Sequence, residues 1–214
     1  MKITDSCVCP YPHGDSSVRR MALAARDLGF DSIVAIDSPP GEYAGIAVLS
    51  GTLIREHTTK EVINRVKRAR ESGNVIMVQA GDNGFNRAVI SMKGVHVLSG
   101  IHLADKKAFD HVTAKMAADS SVAVDIDLSP LIAGRGIARQ KAIHRYRDIL
   151  MFAGRFGFPV TISSHARSVL EMRAVREISG ICSLIGMDIP DIEKALAGIE
   201  TVITRENPAV KVIS

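Results

Sequence analysis

Aromatic residues are scarce in this chain of 214 residues, with no tryptophan, three tyrosines and six phenylalanines. A surface that holds nucleic acid by stacking bases on rings is therefore poorly supplied. Cysteine is limited to Cys7, Cys9 and Cys182. An odd number cannot all pair, and free thiols in a reducing compartment are the expectation. No apolar run reaches the roughly eighteen residues of a membrane-spanning helix. The opening Met1-Lys2-Ile3-Thr4-Asp5 enters a strand rather than a signal peptide's apolar core, so a cytoplasmic location is expected, with no membrane partner. Several catalytic signatures are missing too: no Gly-X-Ser-X-Gly elbow, no Walker loop and no Gly-X-Gly-X-X-Gly. Ser163-Ser164-His165 sets a hydroxyl beside an imidazole, but adjacent strand residues point apart, which argues against a catalytic pair.

What is present suffices for one globular domain over residues 1–214, with 46% hydrophobic and 23% charged residues. Strand-like runs fall at Ile3–Val8, Ser32–Ile36, Ile46–Ile54, Val75–Gln79, Val95–Ile101, Val122–Ile126, Pro159–Ser164 and Thr201–Thr204. Most are continuously apolar, as strands covered on both faces must be. Helical patterns lie between most of them. Val18, Met21, Ala22 and Ala25 share a face that closes at Gly29, and Thr58 with Glu61 forms a capping box before Val62, Val66 and Ala69. Phe109, Val112, Thr113, Met116 and Ala117 form a core-facing side, with Lys107, His111 and Lys115 four apart on another. Ile143, Tyr146, Leu150 and Ala153 mark a long basic helix. Val169, Met172, Val175 and Ile178 mark another after Ser168, and Asp188 with Pro190 opens a last one through Leu196. Eight alternating units predict an α/β, TIM-barrel-like (β/α) barrel. It should be irregular around residues 37–45, where Pro39, Pro40 and Gly41 leave no room for a crossover helix.

Barrel sites lie where strands end. His13, His57, His102 and His165 fall there, with Asp37, Asp125 and Asp127. That set suits a metal-dependent phosphoesterase, in which histidines and carboxylates hold an ion that activates water. The first strand, however, reads Asp5-Ser6-Cys7-Val8-Cys9-Pro10, where Cys7 and Cys9 share a face and offer thiolates instead of a histidine pair. Two thiols without further ligand spacing are a weak metal signal, and small cysteines are common in cores.

Cations are better organised. The net charge is only +4, yet residues 135–155 carry Arg135, Arg139, Lys141, Arg145, Arg147 and Arg155 against the single acid Asp148. Further groups are Arg65, Lys67, Arg68 and Arg70, then Arg87, then Lys106, Lys107, His111 and Lys115, and finally Arg173 and Arg176, three apart. Concentrated cations suit phosphates, and few rings mean that backbone and shape would be read rather than bases. A scaffold that docks an acidic protein partner on the basic helix is the remaining alternative.

An ordered set of segments carries a family resemblance. These are Asn86-Arg87-Ala88, Ala108-Phe109-Asp110-His111-Val112, Val124-Asp125-Ile126-Asp127-Leu128-Ser129 and Ile162-Ser163-Ser164-His165-Ala166. Met172-Arg173-Ala174-Val175-Arg176-Glu177, Ile185-Gly186-Met187 and Arg205-Glu206-Asn207-Pro208 complete it. Together the chain resembles ribonuclease P protein component 3, the archaeal counterpart of a barrel subunit of eukaryotic ribonuclease P and MRP. The resemblance implies a TIM-barrel-like fold akin to the polymerase-and-histidinol-phosphatase superfamily, with that superfamily's first-strand histidine pair replaced by the Cys7 and Cys9 region. It implies a supporting role in an RNA enzyme that removes the 5′ leader from precursor tRNA. The catalytic groups and magnesium would belong to the RNA, and one small protein subunit would be a partner. The chain itself is then expected to hold no catalytic residue, no metal and no cofactor. RNA phosphates would meet Arg87, Lys107, His111, Lys115, Arg135, Arg139, Arg173 and Arg176.

Overall fold

The computed structural model describes residues 2–206. In chain order its elements are β1 (Thr4–Val8), α1 (Val18–Asp27), β2 (Ser32–Ile36), β3 (Gly41–Tyr43), β4 (Ile46–Ile54), α2 (Thr59–Glu71), β5 (Val75–Gln79), α3 (Asn83–Ile90), β6 (Val97–Ser99), α4 (His111–Ser120), β7 (Ala123–Asp127), α5 (Ser129–Ile132), α6 (Gly136–Phe156), β8 (Val160–Ser163), α7 (Val175–Ser183), α8 (Ile189–Leu196) and α9 (Gly198–Glu206). Seven strands pair in parallel in the order β1-β2-β4-β5-β6-β7-β8. The seam between β1 and β8 is held by one parallel bridge, Val8 with Ala166. The Cys9 N–H donates to the Ala166 carbonyl at 2.8 Å and the His165 N–H to the Cys7 carbonyl at 2.9 Å. The barrel is thus TIM-like, and its irregularity lies where the sequence places it. In place of a crossover helix, β3 folds back antiparallel on β4. The turn around it needs positive φ at Asp37, Ala44 and Gly45.

Two corrections concern elements. Thr201–Thr204, β-branched and strand-like alone, lies within α9. Ile199 and Val202, three apart on that helix, pack against Val34, Val75, Val97 and Ala123 inside the barrel. The open lower end of the barrel therefore selects a helical plug over an eighth strand. Gly198 permits this seat, because a Cβ there would stand 2.4 Å from the Val160 carbonyl oxygen. Second, the stretch with Val169 and Met172 is a loop, and α7 starts at Val175. The Arg205-Glu206-Asn207-Pro208 segment lies partly outside the described residues.

Side-chain alternation builds two apolar layers. Val8, Ile33, Ile76, Val78, Leu98, Val124, Ile126 and Ile162 face the surrounding helices. Cys7, Val34, Ile36, Met77, Val97 and Ala123 face the barrel interior. Along β7 the inner positions run Ala123, Asp125, Asp127, so the interior turns from apolar at the bottom to polar at the mouth. Helix starts are set locally: Ser17, Thr58, Asp82, Asp110 and Asp188 each accept a backbone N–H of their helix's first turn.

Candidate functional site

The mouth of the barrel is a cavity of about 620 Å³ lined from strand ends by Cys9, Gln79, Ser99, Asp127, Ser164 and His165, with Arg55, His102, Arg167 and Arg173 around it. Its polar groups are mostly spent on one another. Asp125, fully buried, accepts from Thr161 Oγ1 at 2.9 Å on one oxygen and from Ser163 Oγ at 2.6 Å on the other. Ser99 Oγ and His165 Nε2 approach that second oxygen at 3.4 and 3.3 Å. Register makes this possible, because Asp125 pairs with Thr161 and Asp127 with Ser163 across β7 and β8. Asp127 accepts the Ser129 N–H at 2.7 Å. The Tyr146 hydroxyl donates to the Asp127 carbonyl at 2.8 Å, so the His102 Nδ1 that lies 2.8 Å from the same hydroxyl must carry the donated proton.

Burial dominates the titration of this region. It pushes the Asp5 carboxyl up to about 6, against hydrogen bonds from Ser164 and the Cys7 backbone. It holds His102 below the usual imidazole range, with Asp127 opposing. His165 moves the other way. Burial disfavours its cation, but hydrogen bonds to Asp125 and Cys9 outweigh burial and hold it well above the ordinary value. The two thiols split: the hydrogen bond from Cys7, aided by His165, brings Cys9 down to about 5, and Cys7 rises in consequence.

The strand-end set expected of a phosphoesterase is gathered only in part: His102, His165, Asp125 and Asp127 meet at the mouth, with His102 Nε2 4.0 Å from Asp127 Oδ2 and His165 Nε2 3.3 Å from Asp125 Oδ2, while the rest stand apart. His13 pairs with Asp37 at 2.9 Å on the exposed rim, and His57 is exposed. His102 and His165 face the mouth, each engaged as described. Among the described residues, the one group of three or more side chains with ligand atoms close enough to hold an ion is Cys7, Cys9 and His165.

The cations occupy a separate surface. Lys106 and Lys107 sit on a single 3₁₀ turn, Lys106–Ala108, capped by Asp105. Lys107 is thus not on the helix of His111 and Lys115, and its four-residue spacing from them is not a helical one. All three remain exposed beside one another along the chain. The buried face of α4 is Thr113, Ala114 and Ala117, while Val112 points outward. Arg145 turns inward and donates from Nη1 to the Lys106 carbonyl at 2.7 Å, bolting the turn to α6. The sequence places Arg145 in a solvated basic stripe, but its guanidinium is a strut. Arg135 is exposed and Arg139 half-buried at the start of α6. Arg87 is half-buried and forms an ion pair with Asp110 at 2.7 Å. Asp110 in turn caps α4 through Thr113. Arg173 precedes α7 and does not share its face with exposed Arg176. It donates to the Leu170 and Met172 carbonyls and lines the mouth. Arg55 and Arg167, rim cations that sequence reasoning passed over, lie just after β4 and shortly after β8. Their position behind strand ends was the available signal.

Comparison with known proteins agrees with this architecture. The chain is 29% identical over 209 residues to ribonuclease P protein component 3 of Haloarcula marismortui, covering 92% of this chain and 88% of the relative. It is 26% identical to the component 3 of Methanococcoides burtonii, covering 87% and 80%. Among solved structures, a chain of archaeal ribonuclease P with mature tRNA superposes with a TM-score of 0.78 at 19% identity, over 94% of this chain and 91% of that one. A Xaa-Pro dipeptidase superposes at 0.65 and 12% identity, over 96% and 76%, which shows the shared barrel fold alone. The family pattern described as RNase P subunit p30 matches residues 2–208, and the chain belongs to that family.

Proposed function

We propose that this chain is a non-catalytic protein subunit of ribonuclease P that supports the catalytic RNA while the 5′ leader is removed from precursor tRNA. The observation that carries this reading is the family match over nearly the whole chain. The geometry supports it. At the mouth both Asp125 oxygens accept from Thr161 and Ser163 and one Asp127 oxygen accepts the Ser129 N–H, while exposed cations lie outside on the 3₁₀ turn, α4, the start of α6 and α7.

Lys107, His111, Lys115, Arg135, Arg139 and Arg176 would neutralise phosphates and release counterions. This lowers the repulsion in folding the RNA, whose own magnesium and groups would perform cleavage. Arg173 would approach RNA at the mouth rim. Arg87 would contribute mainly by fixing Asp110 and the basic end of α4. Precursor tRNA would be contacted only indirectly, other protein subunits, including one small partner, would complete the assembly, and the setting would be cytoplasmic.

The test is reconstitution with a ribonuclease P RNA and its other proteins, comparing precursor-tRNA cleavage with and without this chain. Stimulation that weakens with salt is expected. Hydrolysis of phosphoesters by the isolated chain would overturn the reading.

A further inference from the structure

Cys7, Cys9 and His165 take no part in that role, and their geometry is specific. The two sulfurs and a ring nitrogen all lie within 4.8 Å of one another. Cys7 Sγ stands 3.5 Å from His165 Nδ1. Zinc bonds of about 2.3 Å to sulfur and about 2.0–2.1 Å to nitrogen, at a tetrahedral angle, separate those ligand atoms by about 3.5 Å. The observed spacing is therefore that of one tetrahedron edge.

The ring is also turned correctly. Nε2 lies 3.3 Å from Asp125 Oδ2 and 3.2 Å from Ser99 Oγ. A carboxylate on that side keeps the proton on Nε2, so the Nδ1 proton is the one an arriving ion displaces, and the Nδ1 lone pair then faces the thiols. Histidine ligands are held in just this way by a carboxylate behind the ring. Asp125 is itself fixed by Thr161 and Ser163. The backbone supports the arrangement: the His165 N–H reaches the Cys7 carbonyl, and His165 adopts a left-handed φ of 49°.

We propose that Cys7 Sγ, Cys9 Sγ and His165 Nδ1 bind one thiophilic divalent ion, zinc by ligand type, across the seam between β1 and β8. This replaces the expectation that the chain holds no metal, and it does not rest on the RNA-binding reading. On binding, the protons still carried by Cys7 and by His165 Nδ1 pass to solvent, so that both sulfurs bond as thiolates and Nδ1 through its lone pair, with no change of oxidation state. Three protein ligands leave the fourth position toward the mouth cavity, which Cys9 and His165 line, and there water completes the tetrahedron. Its physical purpose follows from the topology. The seam has one backbone bridge, whereas neighbouring strands share runs of paired residues. An ion joining residues of both edges would staple the weakest closure of the barrel.

The full chain, stripped by chelator and kept reduced, is titrated with cobalt(II) and then zinc. One equivalent of cobalt should give the intense sulfur-to-metal charge-transfer absorption and visible bands of a tetrahedral thiolate site, and zinc should displace it. Zinc should also raise the thermal midpoint. Cys9→Ser should abolish the charge-transfer band, Asp125→Asn should weaken zinc by about 10–100-fold, and Cys182→Ser, on α7 and outside the ligand group, should leave both unchanged. X-ray absorption at the zinc edge of the wild-type chain should count two sulfur ligands, a measurement that stands even where a variant does not fold. A weak octahedral cobalt spectrum, binding well below one equivalent, or fewer than two sulfurs around zinc overturns the proposal.

Discussion

At the barrel mouth Asp125 is fully buried and surrounded by hydroxyl and imidazole donors, while on the outer face Lys107, His111 and Lys115 stand exposed on one short stretch of chain. The first arrangement takes contributions from β6, β7 and β8 and leaves the carboxylate oxygens little capacity for anything else. The second costs the fold little and leaves cations turned toward solvent. Charge inside the barrel is thus a matter of structure, and charge outside is available for a partner. The same contrast separates two arginines close in sequence. Arg145 is buried against the Lys106 carbonyl, whereas Arg135 is exposed ten residues earlier.

Perturbing the interior should produce the largest effects. Asp125→Ala removes the acceptor of Thr161 and Ser163 and strands buried donors. A loss of about 3–5 kcal/mol in unfolding free energy is expected from chemical denaturation. A loss under about 1 kcal/mol would mean that the mouth network is not a structural unit. Ile199→Ala empties part of the plug inside the barrel, where the side chain is fully buried. Removing it should cost about 2–4 kcal/mol, read in the same way, without altering the salt dependence of RNA binding.

The outer face should behave in the opposite manner. Replacing Lys107 and Lys115 together by alanine should leave stability within about 0.5 kcal/mol. It should make the slope of log affinity against log salt shallower by about 1.5, measured by filter binding to ribonuclease P RNA. An unchanged slope would remove both residues from the interface. The smallest expected effect lies at the junction of the two regimes. Slight burial works against the Asp110 anion, but hydrogen bonds from Thr113 and the Arg87 guanidinium outweigh it and hold the carboxyl at about 2. A folded value below the unfolded 3.8 adds stability that is present above about pH 4 and lost as pH falls through 2. Wild type should therefore exceed Asp110→Asn by at most about 1 kcal/mol at pH 5, because the pair is more than a third exposed. That advantage should shrink steeply toward pH 2 and vanish below it in urea titrations.

Most strands and caps were legible because they depend on local chemistry. Apolar β-branched runs gave the parallel strands, and Thr58 with Glu61, Asp188 with Pro190 and Gly29 marked helix ends that are observed. Residues 37–45 were legible as an exception, since two prolines and a glycine forbid a crossover helix. The basic groups were legible as composition, but their orientation was not. Lys107 left the helix for a 3₁₀ turn, Arg173 fell in a loop, and Arg145 turned inward.

By itself the sequence determined the strand and helix rhythm, the inward face shared by Cys7 and Cys9, and the polar end of β7. Those follow from periods of two and 3.6 residues and from capping groups within a few positions. Tertiary structure alone decided that Thr201–Thr204 would be helix rather than strand, because the bottom of the barrel had to be filled. It also brought His165 to residues more than 150 positions away, since only closure of the sheet joins its first strand to its last.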